Sequence, residues 1–218
     1  MSISAPVRTT VILIFFIGRL GILTVHAQEQ DFQTWTSAQI NKKISKKIDL
    51  QLSQELRLKN NSTQLGTTFT EAGCKYKVRK QLDVAASYRF IVAQDAVSHR
   101  VSLDVSYEVE AGHWSAEPRL RYLHQIQHDQ PAENYIRPKL SVNYRINKRW
   151  EPYVSGELFY HAFYNEGNEF DQYRLSAGFE YSFTKQHAVK LYYLLTQEMN
   201  VNNALQRHIA GLSYKYDF

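Results

Sequence analysis

The chain reads as an all-β protein, an antiparallel up-and-down transmembrane β-barrel of about ten strands (alternatively twelve) after a cleaved signal peptide. Three observations predict it. Apolar and polar residues alternate with a period of two through most of the chain, which assigns each set to one face of a strand. A unit of strand, tight turn, strand and slightly longer loop recurs about every 35 residues, a hairpin repeat. The final stretch alternates up to the carboxyl end, with Ala210, Leu212, Tyr214, Tyr216 and Phe218 set against Gly211, Ser213, Lys215 and Asp217.

Residues 1–27 carry no acid, an early Arg8 and the apolar run Val11 to Ile17, and they close on Val25-His26-Ala27 with small residues at the −3 and −1 positions. This is the pattern of a secretory signal peptide, to be left out of the fold. Arg19 interrupts the apolar region. The alternative, an uncleaved anchor, falls short of the roughly 20 apolar residues a spanning helix needs. Cleavage leaves Gln28 to Phe218, and no cysteine follows the cut to accept a lipid.

Losing Arg8 and Arg19 lowers the 26 basic residues to 24 against 21 acids, a net charge of +3. That balance is too mild and too evenly spread for nucleic acid. Cys74 is the one cysteine, so no intrachain disulfide or cysteine-based metal cage is available, and it reads as a small residue on a strand face. No apolar stretch after the signal peptide approaches 18 residues, which excludes a helical membrane protein but not a barrel, whose strands are polar on alternate positions. All 15 tyrosines follow the signal peptide and suit interfacial girdles.

In chain order, residues 28–46 hold a strand-like piece, Asp31 to Asn41, and the charged turn NKKISKK. The barrel proper is read as 47–218. Its first strand puts Ile48, Leu50, Leu52, Leu56 and Leu58 on one face and Asp49, Gln51, Ser53, Glu55 and Arg57 on the other. Tight turns follow near Arg79-Lys80-Gln81, Glu110-Ala111-Gly112, Asn147-Lys148-Arg149 and Thr184-Lys185-Gln186. Longer connections fall near Asn60 to Gln64, Gln94 to Ser98, His128 to Pro131, Asn165 to Asn168 and Asn200 to Ala204. The clearest alternation runs through Tyr135 to Ile146 and Gln172 to Phe183.

A soluble sandwich would also alternate, its greasy face meeting another sheet. Two features favour lipid instead. The strands run about 12 to 15 residues, long for a soluble sheet and adequate for a tilted span. Tyr76, Trp114, Tyr144, Trp150, Tyr181, Phe183 and Phe218 gather beside the tight turns, where one girdle belongs. Pro118, Pro138 and Pro152 each lack a ladder donor, so bulges or strand ends are expected there. From Lys47 to Phe218 the count is ten strands, an even number with tight turns in the periplasm. Asp31 to Asn41 is then an eleventh piece, to be paired at the seam, held in the lumen or matched by a twelfth strand.

The terminal pattern Leu212, Tyr214, Tyr216 and Phe218 resembles the assembly signal of bacterial outer-membrane barrels. Trp35, the hairpins INKKISKKIDLQLSQELRL and VNYRINKRWEPYVSGELFY, and the ending YKYDF together resemble the domain-of-unknown-function family 2490 of bacterial outer-membrane proteins, over nearly all of the chain after the signal peptide. The resemblance implies a barrel in the cell outer membrane and no particular activity. The expected partners are outer-membrane lipid and the barrel-assembly machinery, with no nucleic acid, and the expected state is a monomer.

The inward register collects Glu55, Arg57, Glu71, Lys75, Asp83, Arg89, Asp104, Glu108, Glu117, Arg119, Arg121, Arg137, Lys139, Arg145, Glu157, Arg174, Glu180, Lys190 and Lys215. One reading is a salt-bridge network filling a narrow barrel, because unpaired charge in such a space is costly. The other is a small pore whose arginines attract anions. For catalysis, Ser155, Glu157 and His161 share the inward face but lack a nucleophile elbow or other signature, so they are weak candidates for acyl transfer. His124 and His128 would meet on a helix but part on a strand end, so no metal or cofactor is expected. Three functions follow in order: a structural or interaction barrel, a narrow channel for small anionic solutes, and a lipid-active enzyme.

Overall fold

A computed structural model describes residues 29–94, 96–163 and 167–218. The signal peptide read over 1–27 and parts of the connections near Gln94 to Ser98 and Asn165 to Asn168 lie outside them. The described chain is built of strands: β1 (Gln30–Lys43), β2 (Ile48–Lys59), β3 (Gln64–Lys77), β4 (Leu82–Ala93), β5 (Val97–Tyr107), β6 (Val109–Ala111), β7 (Trp114–Gln127), β8 (Glu133–Tyr144), β9 (Trp150–Ala162), β10 (Glu169–Ser182), β11 (His187–Glu198) and β12 (Gln206–Asp217). Each long strand pairs antiparallel with its neighbours in sequence, and β5 pairs with β7 to close the wall. The short β6 continues β5 along β7 in the same register, beginning at Val109 opposite Ala116.

The ring therefore has eleven members plus the small β6. The ten strands counted from Lys47 are all present, and the eleventh is β1. It lies in the wall between β2 and β12, so the barrel starts at Gln30 rather than Lys47 and the expected even count does not hold. With an odd number, first and last strands run the same way, and β1 pairs with β12 in parallel, from Gln30 opposite Gln206 to Asn41 opposite Asp217. Ser37 Oγ donates to Ser213 Oγ at 2.8 Å and Asn41 Nδ2 donates to Asp217 Oδ1 at 2.6 Å across this seam. The Phe218 N–H donates to the Asn41 carbonyl at 2.9 Å and extends the pairing to the last residue.

Alternation decides which way each side chain points. Leu52, Val154 and Leu175 are 50%, 56% and 52% exposed on the outer face, whereas Ile209 is fully buried inside. Leu212, Tyr214 and Phe218 of the terminal pattern lie exposed on the outer face, and so does Cys74. Trp114 packs on Tyr144 at 4.7 Å between ring centres, Trp150 on Tyr181 at 4.6 Å and Tyr216 on Phe218 at 4.5 Å, a girdle on the tight-turn side. Three of these turns are held alike, by a side-chain oxygen accepting two following N–H groups: Ser45, Asn147 and Thr184. Such local bonds favour a turn over continued strand.

The prolines interrupt the ladder without shifting it. Pairing of β5 and its extension with β7 lapses between Ser106 and Val109, opposite Pro118, then resumes in register. Pairing of β8 with β9 lapses at Arg137 and Pro138 and also resumes unshifted. Pro152 lies just past the last β8–β9 pair, Asn143 with Tyr153. The register shifts that do occur fall elsewhere, between Phe170 and Gln172 and between Arg57 and Leu58.

Candidate functional site

The inward face of the barrel is where the chemistry collects. Its waist is a chain of alternating guanidinium groups and aromatic rings. Arg89 lies 3.8 Å from the centre of Phe69, and Arg57 lies 5.0 Å from Phe69 and 3.6 Å from Trp35. Arg174 lies 5.7 Å from Trp35 and 4.5 Å from Phe159, and Arg137 lies 4.0 Å from Phe159. A cation over a ring face is attracted by the ring quadrupole, the more so when water is excluded. Trp35, Phe69 and Phe159 are each buried, so this is such a place. Ile91, Leu123 and Ile209 are buried inside as well.

Two glycines shape the wall beside it. A Cβ on Gly211 would lie 1.9 Å from the Tyr192 ring, so this ring covers the inner surface of β12 at the level where Gly211 pairs with Trp35. Gly178 on β10 comes close to the β11 backbone at Leu191 and Tyr192.

Carboxylates brace the guanidinium groups. Glu55 accepts from Arg57 at 2.6 Å and Glu71 from Arg89 at 2.6 Å. Asp104 receives both Nε and Nη2 of Arg121, at 2.6 and 2.7 Å, a bidentate pair. Glu157 is clasped by Arg119 and Arg137, each at 2.9 Å. Toward the tight turns, Lys215 binds Glu180 at 2.8 Å, and Lys75 lies 3.5 Å from Asp83.

Arg89, Asp104, Arg119, Arg121, Arg137, Lys139, Glu157, Arg174 and Glu180, from the predicted set, share the inward register, and their ion pairs join neighbouring or next-neighbouring strands along that face. Two others lie at the tight-turn rim. Arg145 follows the end of β8, stays about half exposed and faces Glu151 at 3.6 Å. Glu108 falls in the gap between β5 and β6. Partial burial, with Glu110, Glu117 and Asp83 nearby, pushes its carboxyl above the usual range.

Arg100 was not in the sequence-derived set. It has the parity of Asp104 on the same strand and donates to Gln125 from both Nε and Nη2. Asp171, Glu198 and Arg207, also unanticipated, gather at the loop end, where Arg207 donates to Glu198 at 2.6 Å.

Ser155, Glu157 and His161 do not form a catalytic group. All face inward on β9, but six residues of strand separate Ser155 from His161 by roughly 20 Å. Glu157 is committed to its two arginines. His161 lies at the loop end, stacked on Tyr135 at 4.5 Å, and Tyr135 donates to Asp171 at 2.7 Å. The other histidines diverge: His124 pairs with Asn134 on β8, and His128 stands exposed beside Asp129.

Cavities lie on both sides of the waist. One of about 420 Å³ and another of about 650 Å³ share Gln39 and Lys215, and Lys43 and Asp217 line the larger. A third, of about 400 Å³ and bounded by Gln125, Glu133 and His161, opens at the loop end and shares no lining residue with those two.

Comparison with known proteins agrees with this architecture. Residues 32–207 match the family described as "Protein of unknown function (DUF2490)". No curated protein matches the chain. Among solved structures, the NanC porin superposes with a TM-score of 0.52 at 13% identity, covering 76% of this chain and 86% of that one. The KdgM porin in complex with disordered oligogalacturonate gives 0.52 at 13%, covering 86% and 98%. The β domain of the Bordetella autotransporter BrkA gives 0.54 at 13%, covering 81% and 86%. These are outer-membrane β-barrels, and the likeness is one of fold.

Proposed function

The chain belongs to the DUF2490 family, and from that membership and the lumen geometry we propose a porin-like outer-membrane barrel closed at its waist, with a structural or interaction role. It is exported through the segment read as a signal peptide. It is assembled through the terminal pattern Leu212, Tyr214, Tyr216 and Phe218 and works as a monomer in outer-membrane lipid. The observation that carries the closed waist is the run of guanidinium groups and rings from Arg89 through Phe69, Arg57, Trp35, Arg174 and Phe159 to Arg137. Each guanidinium group in it lies against a ring, and those of Arg57, Arg89 and Arg137 are also ion-paired, so opening a passage would break several contacts at once.

A second reading, a narrow channel for small anions, is favoured by one observation. The middle of the lumen carries Arg57, Arg89, Arg100, Arg119, Arg121, Arg137, Arg174 and Lys139 against Glu55, Glu71, Asp104 and Glu157, eight cations to four carboxylates. A plug needs neutrality, whereas a pore selecting anions needs that surplus. The relatives in fold that are called porins support the same reading.

Planar-bilayer recording on the purified full-length protein separates the two. The closed barrel gives no unitary current steps over a long recording. Regular ohmic steps, with a reversal potential favouring anions in a salt gradient, would replace the first reading with the second.

A further inference from the structure

The cavity of about 420 Å³ on the tight-turn side of the waist has an uneven charge inventory. Its lining carboxylates are Glu55, Glu157 and Glu180. Each is already engaged: Glu55 by Arg57, Glu157 by Arg119 and Arg137, and Glu180 by Lys215. Its lining cations are Lys139, Arg174, Lys190 and Lys215, and only Lys215 among them forms a close ion pair among the described residues; Lys139 and Arg174 stand across the ladder from Glu157, and Lys190 from Glu180, without one.

Lys190 rests 3.7 Å from the centre of the Tyr153 ring. Arg174 is held between the Trp35 and Phe159 rings, with the Gln172 side-chain oxygen 2.9 Å from its Nε when that amide is oriented to accept. Lys139 stands on β8 opposite Glu157, which is taken up by two arginines. Around these cations are the hydroxyl groups of Ser37, Ser155, Ser176 and Ser213. The chamber thus offers many donors and few free acceptors.

Three cations facing one half-open space repel one another and lose hydration, a cost that Glu157 and Glu180, shared with other cations, offset in part and that an anion placed among them would relieve further. We propose that this chamber is a binding site for a compact polyvalent oxyanion, with Lys139, Arg174 and Lys190 as its charged contacts and the serine hydroxyls as added donors. Its size falls within the ~300–1,000 Å³ of small-molecule sites. A phosphate-bearing molecule and a di- or tricarboxylate present the same chemistry of several negative oxygens on a small body. An uncharged solute of equal size would leave the cations unrelieved. The site stands apart from the question of conduction, since a barrel closed above the chamber can still fill it from the tight-turn rim.

The test is thermal unfolding of the detergent-solubilised full chain, followed by heat-dependent gel migration. It is titrated at constant ionic strength with pyrophosphate, citrate, chloride and glucose. Saturable stabilisation by pyrophosphate or citrate at concentrations at least tenfold below any effect of chloride is the expected result, and glucose has none. The stronger of the two names the class. Lys139→Met combined with Lys190→Met should raise the midpoint of the titration at least tenfold, whereas Lys80→Gln in a tight turn should leave it unchanged. Absence of saturation in the unmodified protein overturns the site, whatever the variants do. Equal loss on Lys80→Gln overturns it as well, in favour of attraction to the basic rim. Bilayer recording is scored independently, so a barrel that conducts yet binds none of these anions removes this site without deciding for the closed waist.

Discussion

The guanidinium carbon of Arg57 lies 3.6 Å from the centre of the Trp35 ring, and the two residues are direct partners across the β1–β2 pair. One contact thus joins the strand that completes the ring to the chain of cations and rings that fills it. Trp35 is the only member of that chain supplied by β1, so the seam and the waist depend on the same residue.

Trp35→Ala removes the ring shared by Arg57 and Arg174 and leaves a void. Large-to-small substitution of a buried aromatic costs about 3–5 kcal/mol. The temperature at which the compact gel form is lost should fall, and brief current steps should emerge in planar bilayers. Trp35→Phe keeps a ring face for both cations and should fall between the alanine variant and the parent. Equal behaviour of the two variants would separate the waist from cation–ring stacking.

Gly178 and Gly211 should differ in what rescues them. A methyl at Gly211 meets the Tyr192 ring, so the loss of folded barrel in Gly211→Ala should be largely restored by adding Tyr192→Leu. A methyl at Gly178 meets the Leu191 carbonyl oxygen at 2.3 Å, which is backbone and cannot be trimmed. Gly178→Ala should therefore fail to form the heat-modifiable species with or without Tyr192→Leu.

The parallel seam can be locked covalently. In a Cys74→Ser background, Ser37→Cys with Ser213→Cys places two thiols at directly paired positions, and mild oxidation should join them rapidly. Ser37→Cys with Lys215→Cys offsets the pair by two residues and should oxidise far more slowly. Comparable rates would mean that β1 is not seated in the wall in this register.

Glu108 supplies a test in pH. Its carboxyl titrates above the ordinary range because partial burial and three neighbouring acids disfavour its charged form. Ionised Glu108 therefore lowers stability at neutral pH, and the loss disappears as pH falls below the unfolded value of about 4, where both states are protonated. Glu108→Gln should raise the melting temperature slightly at pH 7 and not at pH 3.5. A gain that persists at the lower pH would locate the effect in packing instead.

The alternation of Ile48, Leu50, Leu52, Leu56 and Leu58 was enough to place β2, and the opposite parity holds Glu55 and Arg57, which pair with each other. Parity also held more than was taken from it. Arg100 has the register of Asp104, Phe69 that of Glu71 and Phe159 that of Glu157, so all three could have been placed inside. The three aromatics of the waist escaped because a ring on a membrane strand is ordinarily assigned to lipid. Partner direction is a different matter. A strand alternates identically whether its neighbour runs parallel or antiparallel, so the pattern of Asp31 to Asn41 allowed the place at the seam that β1 takes beside β12 but could not choose it over the lumen or a twelfth strand. The prolines were read as bulges or strand ends because a missing donor was taken to end or shift the pairing; at Pro118 and Pro138 the ladder instead skips two positions and continues, while Pro152 does lie past the last β8–β9 pair.

The odd ring has a consequence for how this chain could be rearranged. Barrels whose ends share a rim can be cut in one loop and rejoined by a few residues. Here Gln30 starts at the loop rim and Asp217 ends at the opposite one. A joining peptide would have to cross an apolar band about 25 Å tall, which at about 3.3 Å per residue needs roughly eight extended residues. Its route would run through the lumen, where the guanidinium groups and rings already stand, or outside through lipid with its backbone unpaired. Circular permutation, easy for most closed sheets, is thereby forbidden to this one unless a strand is added or removed.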